Sequence, residues 1–152
     1  MWAVAFAIPH ILWGLGWFET SLRFSLGLAP AAREARTIRE PAFIATGLWG
    51  VAGLLVMAAL IALATSERWG RMLPRWMVLT GVWGVCLVLS IRGLFLPGVA
   101  GAIAIEAGLI STPEGIDPSW IRWNIVLWSP WFLAGAALFA NAARAFARHE
   151  PA

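Results

Sequence analysis

Four long apolar runs alternate with three polar connections along the chain. The runs cover residues 2–18, 42–65 (AFIATGLWGVAGLLVMAALIALAT), 76–96 (WMVLTGVWGVCLVLSIRGLFL) and 120–146. A helix that crosses a bilayer needs about 20 mostly apolar residues. Helix is the economical state there, because an unpaired backbone amide in hydrocarbon costs several kcal/mol. The pattern predicts an all-α fold: a four-helix transmembrane bundle with residues 1–152 as one unit, a long first connection and an acidic third one. The first run, MWAVAFAIPHILWGLGWF, has no basic leader region and no small-x-small cleavage site, so it reads as a retained membrane helix.

The connections differ in character. Residues 19–41 are mixed: Pro30 starts a short helix, AAREARTIRE, and Pro41 ends it. Glu19 and Arg23 stand i,i+4 in the favourable order, which lets the first helix run past Phe18. SERWGRMLPR, residues 66–75, makes a tight basic turn, whereas residues 97–119 hold Glu106, Glu114 and Asp117 and no basic residue. Four spans place Arg68, Arg71, Arg75, Arg144 and Arg148 on one side and Arg23, Arg33, Arg36 and Arg39 on the other. The basic turn and the acidic loop favour both termini inside a bacterial inner membrane.

Composition agrees with a bilayer. The chain is 61% hydrophobic and 12% charged, about half the charge of a soluble domain. Lysine and tyrosine are absent and all eleven basic residues are arginine, an association with GC-rich bacterial genomes. The net charge of +3 gives no nucleic-acid signal, because the arginines lie between apolar runs and form no dense patch. Cys86, the single cysteine, has no partner for a disulfide or a thiolate metal site and reads as a small core residue.

Eleven tryptophans carry the next layer. Trp2, Trp17, Trp69, Trp76, Trp120 and Trp123 fall near predicted helix ends, where an indole buries its ring and keeps its N–H wet. Trp13, Trp49, Trp83, Trp128 and Trp131 lie deeper. At about 100° per residue, Trp120, Asn124, Trp128, Trp131 and Gly135 fall within one quarter of the fourth helix. His10, Trp13, Gly14 and Trp17 share a face of the first, and Thr46, Trp49, Gly50, Gly53 and Met57 a face of the second. On the third, Arg92 lines up with Gly81, Val85, Val88 and Leu89 while Trp83 points away. Alternating helix direction puts Trp13, Trp49, Arg92, Asn124, Trp128 and Trp131 in the same half of the membrane, with His10 near mid-depth. TGLWGV at 46–51 and TGVWGV at 80–85 read as glycine faces for close helix packing.

Pro130 interrupts the fourth helix. It has no N–H and displaces the carbonyl of Val126, which leaves an acceptor to be satisfied inside the bundle. Arg92 is about four residues from its helix end and has two readings, a head snorkelling to the interface or a cation inside a pocket. Arg122 reads as interfacial. A lone intramembrane His10 is more often hydrogen-bonded to a neighbouring helix than a ligand of metal or haem. No H-x-x-x-H, paired cysteines, intramembrane acidic pair, phosphate loop or nucleophile elbow is present. No catalytic residue, metal site or cofactor is therefore assigned.

HILWGLG at 10–16, LPR at 73–75, IRGL at 91–94 and LWSPWFLAG at 127–135 resemble the small bacterial four-span membrane proteins of the domain of unknown function 3995 family. The resemblance covers most of the chain. It implies four helices, marks His10, Trp13, Arg92, Trp128, Pro130 and Trp131, and implies no reaction. It further implies an acidic residue where Ser129 stands, so that a charge partner for Arg92 is missing in this chain.

Together these observations lead to an expectation of a Trp-lined intramembrane pocket for an amphipathic or aromatic molecule with an anionic end: a lipid, isoprenoid, quinone or tetrapyrrole. Trp13, Trp49, Trp128 and Trp131 would give ring faces, Arg92 the cation, and His10 and Asn124 orienting hydrogen bonds. The other reading is an accessory or scaffolding subunit in a homo-oligomer or a larger membrane complex. An intramembrane enzyme using His10 is a weaker third.

Overall fold

The computed structural model describes residues 1–26, 39–95, 99–111 and 118–148, and all regular structure among them is helical. The helix expected from Pro30, together with Glu114, Asp117 and His149, lies outside the described residues. Helix α1 is Trp2–Gly14, α2 is Glu19–Leu26 and α3 is Pro41–Ala64. A 3-10 turn, Arg68–Met72, leads to α4, Arg75–Leu94, and the short α5, Val99–Glu106. Helix α6, Pro118–Trp123, passes through a π-helical stretch, Asn124–Trp128, into α7, Ser129–Arg148.

Three stretches are long and apolar enough to cross a membrane: Pro41–Ala64, the one that begins with α4 at Arg75, and Ile121–Arg148. The first apolar run gives a shorter helix. Its 13 residues extend only about 20 Å, against a hydrocarbon thickness of about 30 Å. The chain leaves the helix at Leu15, and Gly16 and Phe18 both take positive φ (82° and 56°). Helix one therefore does not continue through Glu19, and α2 starts afresh there. Glycine adopts that conformation freely and phenylalanine does not.

Pro41 begins α3, as suits a ring that presets φ and lacks an N–H. The acidic connection contains α5, whose sequence VAGAIAIE is too short an apolar run to mark a span.

Exposed positions on the long helices are large and apolar, among them Leu54, Met57, Leu60, Leu87, Val88, Val126 and Leu138. Many of the buried ones are small, alanine above all. The core between α3, α4 and α7, with the start of α1, is built from Ala3, Ala58, Val78, Val82, Leu89, Ala136, Phe139 and Ala143, and Cys86 packs at its edge. Small side chains inside and bulky ones outside let helix backbones approach and leave dispersion contacts for lipid. These are the helices of a membrane-embedded protein.

Helix α4 packs against α7, and α1 against α3. Arg75 at the start of α4 donates a hydrogen bond to the Ala147 carbonyl near the end of α7, so those two helices run antiparallel. Trp2 lies on Gly135, and Phe6 meets Trp128, Trp131 and Phe132. Helix α1 is thus antiparallel to α7 and covers only its first part, together with the π stretch.

Candidate functional site

Phe6 sits at the hub of the aromatic cluster. Its ring centroid is 5.7 Å from Trp2, 5.1 Å from His10, 6.2 Å from Trp128, 6.1 Å from Trp131 and 5.4 Å from Phe132. Trp2 also stacks on Trp131 at 5.8 Å. These distances fall in the range where offset and edge-to-face pairs attract. The cluster forms because Trp2, Phe6 and His10 recur every fourth residue on one face of α1. Gly135 makes room for it: a β-carbon there would stand 2.6 Å from the Trp2 ring.

Arg92 closes the cluster from α4. Its guanidinium carbon lies 4.6 Å from the centre of the Phe132 ring, a cation–π contact worth about 0.5–2 kcal/mol. The side chain therefore turns inward, and its Nη1 is buried without a hydrogen-bond partner. Neighbouring Gly93 brings the two helices close, since a β-carbon there would be 2.9 Å from Leu133 and 3.2 Å from the Ser129 carbonyl.

The π stretch supplies the remaining polar groups. Pro130 cannot donate to the carbonyl four residues back. The helix passes it by widening, so that the Ser129 N–H reaches the carbonyl of Asn124, five residues earlier. Asn124 and Ser129 are both 0% exposed. Neither the Asn124 amide atoms nor the Ser129 hydroxyl has a partner, and the same holds for the indole N–H groups of Trp2 and Trp128. Leaving such groups unpaired costs about 1–3 kcal/mol each in protein interiors, so their occurrence together on the π stretch and the helices packed near it calls for an explanation.

The remaining expected site residues lie farther along α1. His10 contacts both Phe6 and Trp13, and its Nδ1–H donates to the Phe6 carbonyl at 3.0 Å. The carbonyl can only accept, so the proton sits on Nδ1. The histidine bonds its own helix rather than a neighbour. The Trp13 N–H donates to Ser21 Oγ at 2.8 Å, and Ser21 in turn donates to the Phe18 carbonyl. Trp49 lies flat on Gly14 and is 43% exposed. The structure therefore brings Trp128, Trp131 and His10 around Phe6, places Arg92 on Phe132 of the same cluster, sets Asn124 in the adjoining π turn, and leaves Trp13 and Trp49 at the far end of α1. Trp83 points away, toward Arg144.

Trp2 and Phe6 were not singled out by the sequence. Trp2 was assigned to the interface by its place at a helix start, yet it is half-buried with its N–H enclosed. The every-fourth-residue series Trp2, Phe6, His10 was the available signal. Among the described residues, no group of three or more His, Cys, Asp or Glu side chains is placed to hold a metal ion.

A short apolar helix and three longer ones, enclosing rings and unpaired polar groups, define a helical membrane protein with a polar centre. The family model described as "Protein of unknown function (DUF3995)" matches residues 3–139, and the chain belongs to that family. Comparison with curated proteins and with solved structures gave no match.

Proposed function

We propose that this protein is a four-span membrane bundle, its short α1 crossing where the bilayer thins to match it, whose Trp-lined pocket binds an amphipathic or aromatic small molecule: a lipid, isoprenoid, quinone or tetrapyrrole. One observation carries the reading. Arg92 Nη1, both Asn124 amide atoms, Ser129 Oγ and the indole nitrogens of Trp2 and Trp128 are buried without partners; Trp2 and Trp128 pack on Phe6, Arg92 packs on Phe132 of the same cluster, and Asn124 and Ser129 flank Trp128 in the π stretch. Buried polar groups are normally satisfied, and a ligand with a polar end and a flat or flexible body would satisfy these. Trp131 and Phe132 give it apolar walls, and His10 orients the cluster through Phe6. Trp13 and Trp49 frame the pocket's outer end. The bundle sits in a bacterial cell membrane with both termini cytoplasmic. The support for that orientation is the end of the bundle where Arg75 meets Ala147, which also carries Arg68, Arg71, Arg144 and Arg148.

Purification in mild detergent followed by native mass spectrometry tests the reading. The expected result is a reproducible bound mass that Trp128→Ala and Arg92→Ala both remove. No bound mass, with these variants losing only fold stability, would discard the pocket.

A second reading, an accessory or scaffolding subunit, has its own observation. Gly53 and Gly84 are exposed on α3 and α4, and nothing stands within 4 Å of where their β-carbons would be. Another helix can approach closely at such positions. Crosslinking in native membranes separates the readings: a partner of constant stoichiometry favours the subunit, and an isolated monomer removes it.

A further inference from the structure

We propose that the pocket takes an acidic single-chain lipid, with its carboxylate or phosphate end against Arg92 and its alkyl chain in the groove between α4 and α5. This rests on the pocket reading above and narrows it to one ligand class, excluding neutral quinones and isoprenoid alcohols.

The unpartnered atoms choose the head group. Arg92 Nη1, Asn124 Nδ2 and the indole nitrogens of Trp2 and Trp128 can only donate. Ser129 Oγ does either, and Asn124 Oδ1 alone can only accept. Four donor-only atoms against one acceptor-only atom call for a ligand rich in acceptors. A quinone carbonyl or an alcohol meets some of these donors but leaves the guanidinium charge uncompensated. Arginine keeps its proton inside proteins, and a buried charge needs a counter-charge. The ion pairs found among the described residues join Glu19 to Arg23 and Arg39, and none involves Arg92. The Phe132 ring covers one face of the guanidinium, and Nη1 is buried without a partner, so an oxyanion there would supply the missing acceptor. Carboxylates and phosphates match the arginine fork.

The body of the ligand follows from what comes next along the chain. Phe95, the extended residue just past the end of α4, joins Ala100, Gly101, Ala104 and Ile110 in lining a groove of about 460 Å³. Every lining residue is apolar, and the volume falls in the usual ligand range. Helix α5, which forms the other wall, also packs on the π stretch that carries Asn124. Head-group donors and tail groove therefore lie on either side of the same helix junction. An amphipath with one flexible chain fits that arrangement.

The test uses the full chain in a mild non-ionic detergent, exchanged to remove lipid. Three probes share one brominated C18 chain and differ at the head: the carboxylic acid, its methyl ester and the alkyl phosphate. Bromine quenches tryptophan fluorescence on contact. Saturable quenching by the acid or the phosphate is expected, at least tenfold tighter than by the ester, and the tighter of the two identifies the head group. Arg92→Gln should erase that tenfold gap. If that variant does not fold, Arg92→Lys, which keeps the charge and loses the fork, should narrow it. Equal saturable binding of acid, phosphate and ester overturns the oxyanion assignment while the pocket stands. An undiminished gap in a folded Arg92 variant overturns the assignment to Arg92. Quenching that rises linearly for every probe, as for simple micelle partitioning, overturns the pocket as well.

Discussion

Helices α4 and α7 touch along most of their length, yet the two ends of their contact are built on opposite rules. At the basic end Val78 and Val82 meet Ala143 and Phe139, nothing polar is buried, and Arg75 ties α4 to the Ala147 carbonyl. At the other end Arg92 and Gly93 meet Ser129 and Phe132, and buried polar atoms stand without partners. The first end is an apolar packing joint with no unpartnered buried side-chain polar atom among the described residues. The second leaves polar groups unpaired where apolar residues would pack more stably, the observation on which the proposed pocket rests. The contrast teaches where stability and function separate in this chain.

The largest effect is expected at the packing end. Gly70, in the turn after α3, is buried so tightly that a β-carbon would overlap the Ala64 carbonyl. A backbone atom cannot swing aside as a side chain can. Gly70→Ala should therefore cost about 3 kcal/mol, the upper part of the usual overpacking range. Equilibrium unfolding in mixed micelles reads this as a lowered midpoint. A loss below about 1 kcal/mol would mean that this end is not the rigid joint described.

At the polar end the sign should reverse. Asn124→Leu removes two unpartnered amide atoms and keeps a similar volume. In lipid-stripped protein it should raise stability by about 1–3 kcal/mol, the cost of burying an unbonded amide, while abolishing binding of the proposed ligand. Most core substitutions destabilise, so a rise is diagnostic. A fall in the stripped protein would show that the amide is already bonded in the folded state, by a bound water for example, and would weaken the contrast between the ends.

How the sequence foretold these two ends differs. Hydropathy located α3, α4 and the last helix to within a few residues, because an apolar stretch of bilayer length has one economical conformation. The packing joint follows from that placement and from small residues at helical spacing. The site was harder to read. The helical wheel assumed one uniform period, but Ile44–Gly50 and Asn124–Trp128 are π-helical, and the phase shifts across each. That is why Ser129, fully buried, did not stand out, and why Trp49 ends exposed on Gly14. Pro130 marked the disturbance without revealing its form. The early end of α1 depended on positive φ at Gly16 and Phe18, a local choice that hydropathy does not encode.

A smaller effect tests the exit of α1, where the Trp13 N–H is satisfied, unlike those of Trp2 and Trp128. Trp13→Phe removes the bond to Ser21 and frees the Ser21–Phe18 link it steadies. A neutral hydrogen bond contributes about 0.5–1.5 kcal/mol, so the midpoint should fall by that much. Hydrogen exchange should quicken at the Ser21 and Leu22 amides, which donate to the Phe18 carbonyl. Unchanged exchange there would assign the turn's order to its backbone alone.

The smallest effect concerns the paired arginines, the counterpart of unpaired Arg92. Glu19 accepts hydrogen bonds from Arg23 and Arg39 at 2.8 Å each, which links the start of α2 to the residues just before α3. Arg23 first, and Arg39 second, hold the Glu19 carboxyl below its ordinary value. A carboxylate depressed in the folded state adds stability above its unfolded value of about 4.3, and loses it as the pH falls through the lower folded value. Stability attributable to Glu19 should thus be flat from neutral pH to about 5 and decline below the ordinary carboxylate range. The difference between wild type and Glu19→Gln isolates it from the other acids. Because the pair is exposed, added salt should shrink that difference. Arg23→Ala should bring the decline to higher pH than Arg39→Ala does, since Arg23 exerts the larger pull. Equal shifts would mean that the two arginines act only as diffuse charge, and that the short hydrogen bonds contribute nothing beyond it.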